Sequence, residues 1–322
     1  MKAIVADPVG GPENLKYVDM PVPEPGEGEV LVKIEASGVN YIDTYFRAGF
    51  YKAPESPVKL GNEAAGKVVK AGRGANWQVG QRVAYAMARG SYAEYAVVPQ
   101  QFLVELPAAV SFENGAAVML QGMTAHYLTH STYALKTGDI CLIHAAAGGA
   151  GLMLVQLAKI AAATVIGTVS TKDKGQLAQE HGADHIVFYT EQDFVAEVKR
   201  ITNGKGVNVV YDSVGKTTFH KSLDCLRPRG LMVTFGQSSG PVGEIDPLVL
   251  NQKGSLFLTR PSLGNYISDP AELRWRSSDL FQWIADGRLK LRIYKVYPLA
   301  DAAEAHRDLE SRKSTGKLLL KP

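Results

Sequence analysis

Gly148, Gly149 and Gly151 stand between two apolar segments, Ile140-Cys-Leu-Ile-His144 and Leu152-Met-Leu-Val-Gln-Leu-Ala-Lys159. The first predicts a short strand, and the second, rich in Ala and Leu and free of Pro, predicts a helix. Glycines at such a junction let the backbone turn tightly and approach a ligand, while unsatisfied N–H groups at the helix start attract an anion. Ala147, Gly148, Gly149, Ala150 and Gly151 are therefore candidate binders of a pyrophosphate. A glycine cluster alone fits a plain surface turn equally well. Here a second strand, Thr164-Val-Ile-Gly-Thr-Val169, follows at the spacing of a βαβ unit, which favours a nucleotide cradle. One position departs from the three-glycine pattern: Ala146 stands where the first glycine is expected.

The residues after the second strand bear on which nucleotide fits. An NAD site places Asp or Glu about 20 residues beyond the glycines to bind the ribose hydroxyls. This chain has Val169, then Ser170-Thr-Lys-Asp-Lys174. With no carboxylate at the strand tip, a 2′-phosphate is not repelled; Ser170 can donate to it, and Lys172 or Lys174 can supply charge. Either lysine alone also fits a solvated helix start. Together with the missing acid they favour NADPH over NADH.

Composition sets the broad class. A chain of 322 residues, 46% hydrophobic and 21% charged, describes an ordinary globular protein with room for two domains. Its net charge of +3 is too small to argue for nucleic acid or a membrane surface. No apolar run approaches the ~20 residues that span a bilayer. Asp7 stands where a signal peptide would be apolar, so a cytoplasmic location is expected. The two cysteines, Cys141 in a strand and Cys225 in a helix, are expected to be buried thiols.

The first third reads as β-rich, with strands expected at 29–35, 63–70 and 81–85 between Gly- and Pro-rich turns. From about Asn114 the pattern turns helical. Strands are then expected at 208–212, 230–236 and 255–259, a helix over 270–286, and strands again at 293–297 and 317–320. Alternating strands and helices from 124 to about 260 imply an α/β, doubly wound parallel (Rossmann) sheet. Its ligand belongs at the carboxyl ends of the strands, where Ser170, Ser213, Phe235, Gly236 and Ser238 fall.

Six motifs then occur in a familiar order: Gly38-Val-Asn-Tyr41-Ile-Asp43, Gly61-Asn-Glu-Ala-Ala-Gly66, Gln121-Gly-Met-Thr124-Ala125, the glycine loop, Tyr211-Asp-Ser-Val-Gly215 and Thr259-Arg-Pro-Ser262. Over its whole length the chain resembles the medium-chain dehydrogenase/reductases. It is most similar to their zinc-free, ζ-crystallin-like quinone oxidoreductase branch. The resemblance implies a Rossmann domain over 124–263 and a β-rich, GroES-like substrate domain over 1–123 and 264–322. Zinc-dependent relatives hold a catalytic metal through Cys, His and Cys or Glu. The matching positions here are Asn40, Asn62 and a position near Leu120. An amide and an aliphatic side chain are poor zinc ligands, so no metal is expected.

Without a Lewis acid the acceptor must take hydride readily, as a quinone does; an enone, 2-alkenal or enoyl thioester is the alternative. The resemblance implies that Asn40, Asp43 and Tyr45 line the cleft beside the nicotinamide, with Thr124 nearby and Tyr41 among the cofactor contacts. Tyr51 matches a region where related enoyl thioester reductases place a proton-donating tyrosine. Against this, Tyr45 and Tyr51 also fit half-buried aromatics, Asn40 a turn residue and Asp43 a holder of backbone amides. Tyr189, Arg260 and Arg312 match cofactor contacts of the family, and the segment Ser255 to Thr259 matches a strand that pairs in a homodimer. A low-turnover NADPH-binding protein with a structural or RNA-binding role is a further alternative, though no basic stripe or stacking motif supports it.

Overall fold

The computed structural model describes all residues, Met1 to Pro322. They divide into two compact units, Thr124–Asn265 and Met1–Met123 with Tyr266–Pro322.

The Thr124–Asn265 unit is built on a six-stranded sheet ordered His185–Phe188, Thr164–Val169, Ile140–Ile143, Val207–Asp212, Leu226–Thr234, Phe257–Thr259. Every pairing is parallel. Its central strands are almost wholly buried, as strands covered on both faces must be. In order of sequence the strands lie 3-2-1-4-5-6, so the order reverses between Ile140–Ile143 and Val207–Asp212. A doubly wound sheet binds its ligand outside the carboxyl ends at that reversal. The core beneath joins Leu142, Ile166, Val187, Val210, Phe219 and Met232.

The strand expected at 255–259 is shorter, Phe257–Thr259, because Ser255 takes a left-handed conformation with φ of 55°. Cys225 is not helical: the helix ends at Leu223, and the buried thiol lies in the turn before Leu226.

The other unit carries a seven-stranded sheet and a three-stranded one. Its long strand Glu29–Val39 pairs antiparallel with Glu63–Ala71 on one side and with Lys317–Lys321 on the other. In this register Leu318 faces Val39 and Ser37 faces Ala64. One residue further along each pair, Lys317 comes beside Asn40 and Glu63 beside Gly38. Asn40 ends the strand's course and caps the helix Tyr41–Arg47. The helix Ala302–Glu310, which the sequence pattern did not announce, packs on this sheet through Ala302 and Ala305.

Candidate functional site

The glycine loop leaves the strand Ile140–Ile143 at His144, which is buried between Thr168 Oγ1 and Ser222 Oγ, each 2.9 Å away. Burial lowers the His144 pKa, so the ring is a neutral strut under the loop. Ala145 turns left-handed with φ of 52°, and Ala146 N donates to Thr168 O at 3.1 Å. Gly148 then caps the helix Gly149–Ile160 without a side chain to satisfy its first amides. Those amides are the donors a helix start leaves for an anion. At Gly151 an added Cβ would lie 2.2 Å from Ala145 O, so only glycine lets this helix start against the loop.

The strand Thr164–Val169 ends with Val169 buried and no acid after it. Thr171 Oγ1 accepts from Lys174 N at 3.4 Å and so caps the next helix. Lys174 is partly buried, which lowers its pKa. Just past the neighbouring strand Tyr189 N donates to Val169 O at 3.2 Å, leaving the Tyr189 ring half exposed beside the same tip. Ser170, Lys174 and Tyr189 thus stand together at one end of the sheet.

A second group forms around the next strand end. Asp212 is fully buried and accepts from Val214 N, Gly215 N and Thr218 Oγ1. It shapes the turn that holds Ser213, whose carbonyl accepts from Ser238 N at 3.1 Å. Arg260 is a brace: its guanidinium donates to Thr234 O and Gly236 O at 3.1 Å and to Gln237 Oε1 at 3.2 Å. Phe235, Gly236 and Ser238 are held in that loop, half-buried. Thr124, by contrast, is buried at the start of this unit.

In the other unit the polar residues cluster more tightly than the sequence implied. Asn40 is 3% exposed. Its Oδ1 accepts from Lys317 Nζ at 2.8 Å and Gln121 Nε2 at 3.2 Å, and its Nδ2 donates to Glu63 Oε1 at 2.6 Å. Lys317 Nζ also donates to Glu63 Oε1, and Leu120 N donates to Glu63 Oε2 at 2.6 Å. Gly38 makes room for this carboxylate, since a Cβ there would fall 2.1 Å from Glu63 Oε1. Gln121 Oε1 is buried and accepts from no protein group.

Asp43 is fully buried, and its carboxylate accepts from Asn40 N, Asn62 Nδ2 and Tyr92 OH at 2.9, 2.6 and 3.0 Å. Burial pushes its pKa up to about 6 against those three donors. Asp43, named from the resemblance as a cofactor contact, is enclosed by protein and caps the helix Tyr41–Arg47. The chain of hydrogen bonds runs on from Tyr92 to His306 Nε2 at 3.2 Å, and from His306 Nδ1 to Arg47 at 3.2 Å. Arg47 can only donate, so Nδ1 accepts and Nε2 carries the proton toward Tyr92. Arg47 ends this line in a two-pronged pair with Glu310.

The same unit carries a group of aromatic rings. Tyr41 is tied by its hydroxyl to Leu309 O at 3.1 Å. Burial raises its pKa against the pull of Arg312, which the structure puts near this ring at the end of Ala302–Glu310. Tyr45 and Tyr51 meet edge to face at 5.3 Å, and Tyr51 N donates to Tyr45 O at 3.1 Å. Tyr51 is 38% exposed and Tyr45 half-buried. Lys317, Tyr92 and His306 were not singled out from the sequence, and Gln121 only as part of a motif. Lys317 opens an apolar run, Lys-Leu-Leu-Leu, and nothing in that pattern reveals that its ammonium is enclosed.

A doubly wound sheet with a bare-capped glycine cradle at its switch point defines a dinucleotide-binding protein, here with a β-rich second unit. Residues 26–108 match the alcohol dehydrogenase GroES-like domain and residues 181–320 match the zinc-binding dehydrogenase family. The chain is 46% identical to a quinone oxidoreductase of Pseudomonas aeruginosa over 97% of each chain. It is 42% identical to a 2-haloacrylate reductase of a Burkholderia species, over 99% of this chain and 98% of that one. The quinone oxidoreductase of Escherichia coli, solved in complex with NADPH, superposes with a TM-score of 0.98 at 47% identity over all of both chains. The chain belongs to the quinone oxidoreductase family of the medium-chain dehydrogenase/reductases, as its motifs implied.

One matched family is described as zinc-binding. The positions used for zinc in metal-dependent relatives do not fit that ion here. Asn40 Oδ1 faces an ammonium, Asn62 donates to Asp43, and Leu120 offers only its backbone. No three His, Cys, Asp or Glu side chains gather to hold a metal.

Proposed function

We propose that this protein is an NADPH-dependent quinone reductase. The observation that carries the cofactor is the acid-free strand tip at Val169, with Ser170, Lys174 and Tyr189 beside it and the cradle at Gly148–Gly151 next to it. NADPH supplies a hydride. The protein's part is to hold the pyrophosphate on the amides of Gly149 to Gly151, to pair the 2′-phosphate with Ser170 and Lys174, and to stack Tyr189 at that end. Arg260 holds the loop of Phe235, Gly236 and Ser238 around the nicotinamide end. With no Lewis acid among the residues, the acceptor must itself stabilise the charge that hydride brings, and a quinone does so by becoming aromatic. Tyr45 and Tyr51 are the acceptor-side groups, and the exposure of the Tyr51 phenol supports a role in returning a proton.

The test is an NADPH-oxidation assay with benzoquinone, naphthoquinones, 2-alkenals, 2-haloacrylate and crotonyl thioester. Turnover with quinones supports the function; turnover confined to the alkenes replaces it with alkene reduction. Titration of NADPH and NADH separately tests the cofactor, and equal affinities count against the 2′-phosphate contacts.

We also propose a homodimer. The strand Phe257–Thr259 is an edge, and Phe257 is 62% exposed on it; a second copy pairing along that edge removes it from solvent. Sedimentation of the native protein and of Phe257→Lys decides this. No helix is long and apolar enough to cross a membrane. Two buried free thiols suit a reducing cytoplasm.

A further inference from the structure

We propose that Lys317 is a positioning residue whose ammonium is a built-in cation that fixes the orientation of Asn40 and Glu63. The three positions at which metal-dependent relatives hold metal are all within one polar cluster or one residue of it. Asn40 bonds Lys317 directly, Leu120 N bonds the carboxylate that Lys317 bonds, and Asn62 precedes that carboxylate in sequence. Side chains of Lys317 and Glu63 are 2% and 0% exposed. Enclosing such a pair carries a desolvation penalty that an apolar pair avoids, so packing alone does not explain it.

What the pair accomplishes is orientation. An ammonium has no acceptor and a carboxylate no donor, so Asn40 must turn Oδ1 to Lys317 and Nδ2 to Glu63. Held that way, Asn40 also donates its backbone N–H to Asp43 and starts the helix Tyr41–Arg47. Tyr45 rides on that helix, and Tyr51 is fastened to Tyr45 by ring and backbone. The line from Lys317 through Asn40 to Tyr45 and Tyr51 sets the aromatic groups from a buried point. That consequence rests on the quinone-reductase function proposed above; the cation site itself does not.

The test uses Lys317→Ala and Lys317→Met. Alanine removes a segment equivalent to n-propylammonium, so that amine is the probe and 1-propanol its neutral control. At millimolar amine, Lys317→Ala should gain several degrees of Tm, about 3 °C or more, beyond the gain with 1-propanol or in the native protein. In the same titration its kcat for quinone reduction should recover. Lys317→Met, close in length but uncharged, covers the case in which the alanine variant does not fold. Its kcat should fall about tenfold to a hundredfold with the KM for NADPH within about twofold. Equal rescue by 1-propanol, rescue of a folded alanine variant by neither compound, or native kcat in Lys317→Met overturns the proposal. If the native protein reduces no quinone, the function proposed above fails, and the thermal readout alone decides the cation site.

Discussion

The methyl group of Ala146 lies over Gly167 on the adjacent strand, where a Cβ would approach it to 2.8 Å. The glycine missing from the start of the loop is therefore matched by one in the strand beside it. Gly167→Ala should destabilise the fold by about 1–3 kcal/mol through overpacking and weaken NADPH binding as the loop shifts. Ala146→Gly should relieve much of this, giving a coupling of about 1–2 kcal/mol in denaturant unfolding of the double-mutant cycle. Additive effects would show that the two sites do not press on one another.

The acid-free tip at Val169 predicts a selective defect. Lys174→Ala should weaken NADPH about tenfold, the loss of one charge-assisted hydrogen bond, and leave NADH affinity within about twofold. Calorimetric titration of both cofactors reads this directly. A parallel loss for NADH would move Lys174 away from the 2′-phosphate.

Asp43 and His306 predict opposite pH slopes from one hydrogen-bonded line. Burial raises Asp43 from 3.8 to about 6, so the folded chain binds this proton before the unfolded chain does. That term adds stability as the pH falls from about 6 toward 4. Burial and Arg47 lower His306 from 6.5 to about 3, so the unfolded chain binds that proton first. That term removes stability as the pH falls below about 6.5, and each slope is about 1.4 kcal/mol per pH unit. In the native protein the two oppose each other. Relative to it, Asp43→Asn should lose stability on acidification from pH 6 to 4, and His306→Gln should gain it. Urea unfolding at pH 6, 5 and 4 checks the signs; parallel curves would mean that neither group titrates as its surroundings dictate.

Tyr51 and Tyr45 differ in exposure and should differ in kinetics. Tyr51→Phe is expected to lower kcat roughly tenfold to a hundredfold at neutral pH if its phenol returns the proton. Tyr45→Phe should act chiefly on the KM for the quinone. An unchanged kcat in Tyr51→Phe would leave that ring as an aromatic wall only.

Much of this protein was readable from local pattern. The glycine loop, the strand at Thr164–Val169 and the acid missing after it lie within thirty or so consecutive residues, where period and turn chemistry act directly. The family followed from motifs that are likewise short. The helix Ala302–Glu310 escaped notice because its buried face rests on two alanines and His306, too weak a stripe to stand out. The polar cluster around Asn40 was out of reach for a different reason. Lys317 and Glu63 are separated by 254 positions and meet only because both flank the strand Glu29–Val39 in a fixed register. Sequence alone determined that the cradle and the residues replacing zinc ligands were present. Only tertiary structure decided that Asp43 is enclosed and that an ammonium stands among those replacements, because register across strands, not spacing along the chain, sets which side chains touch.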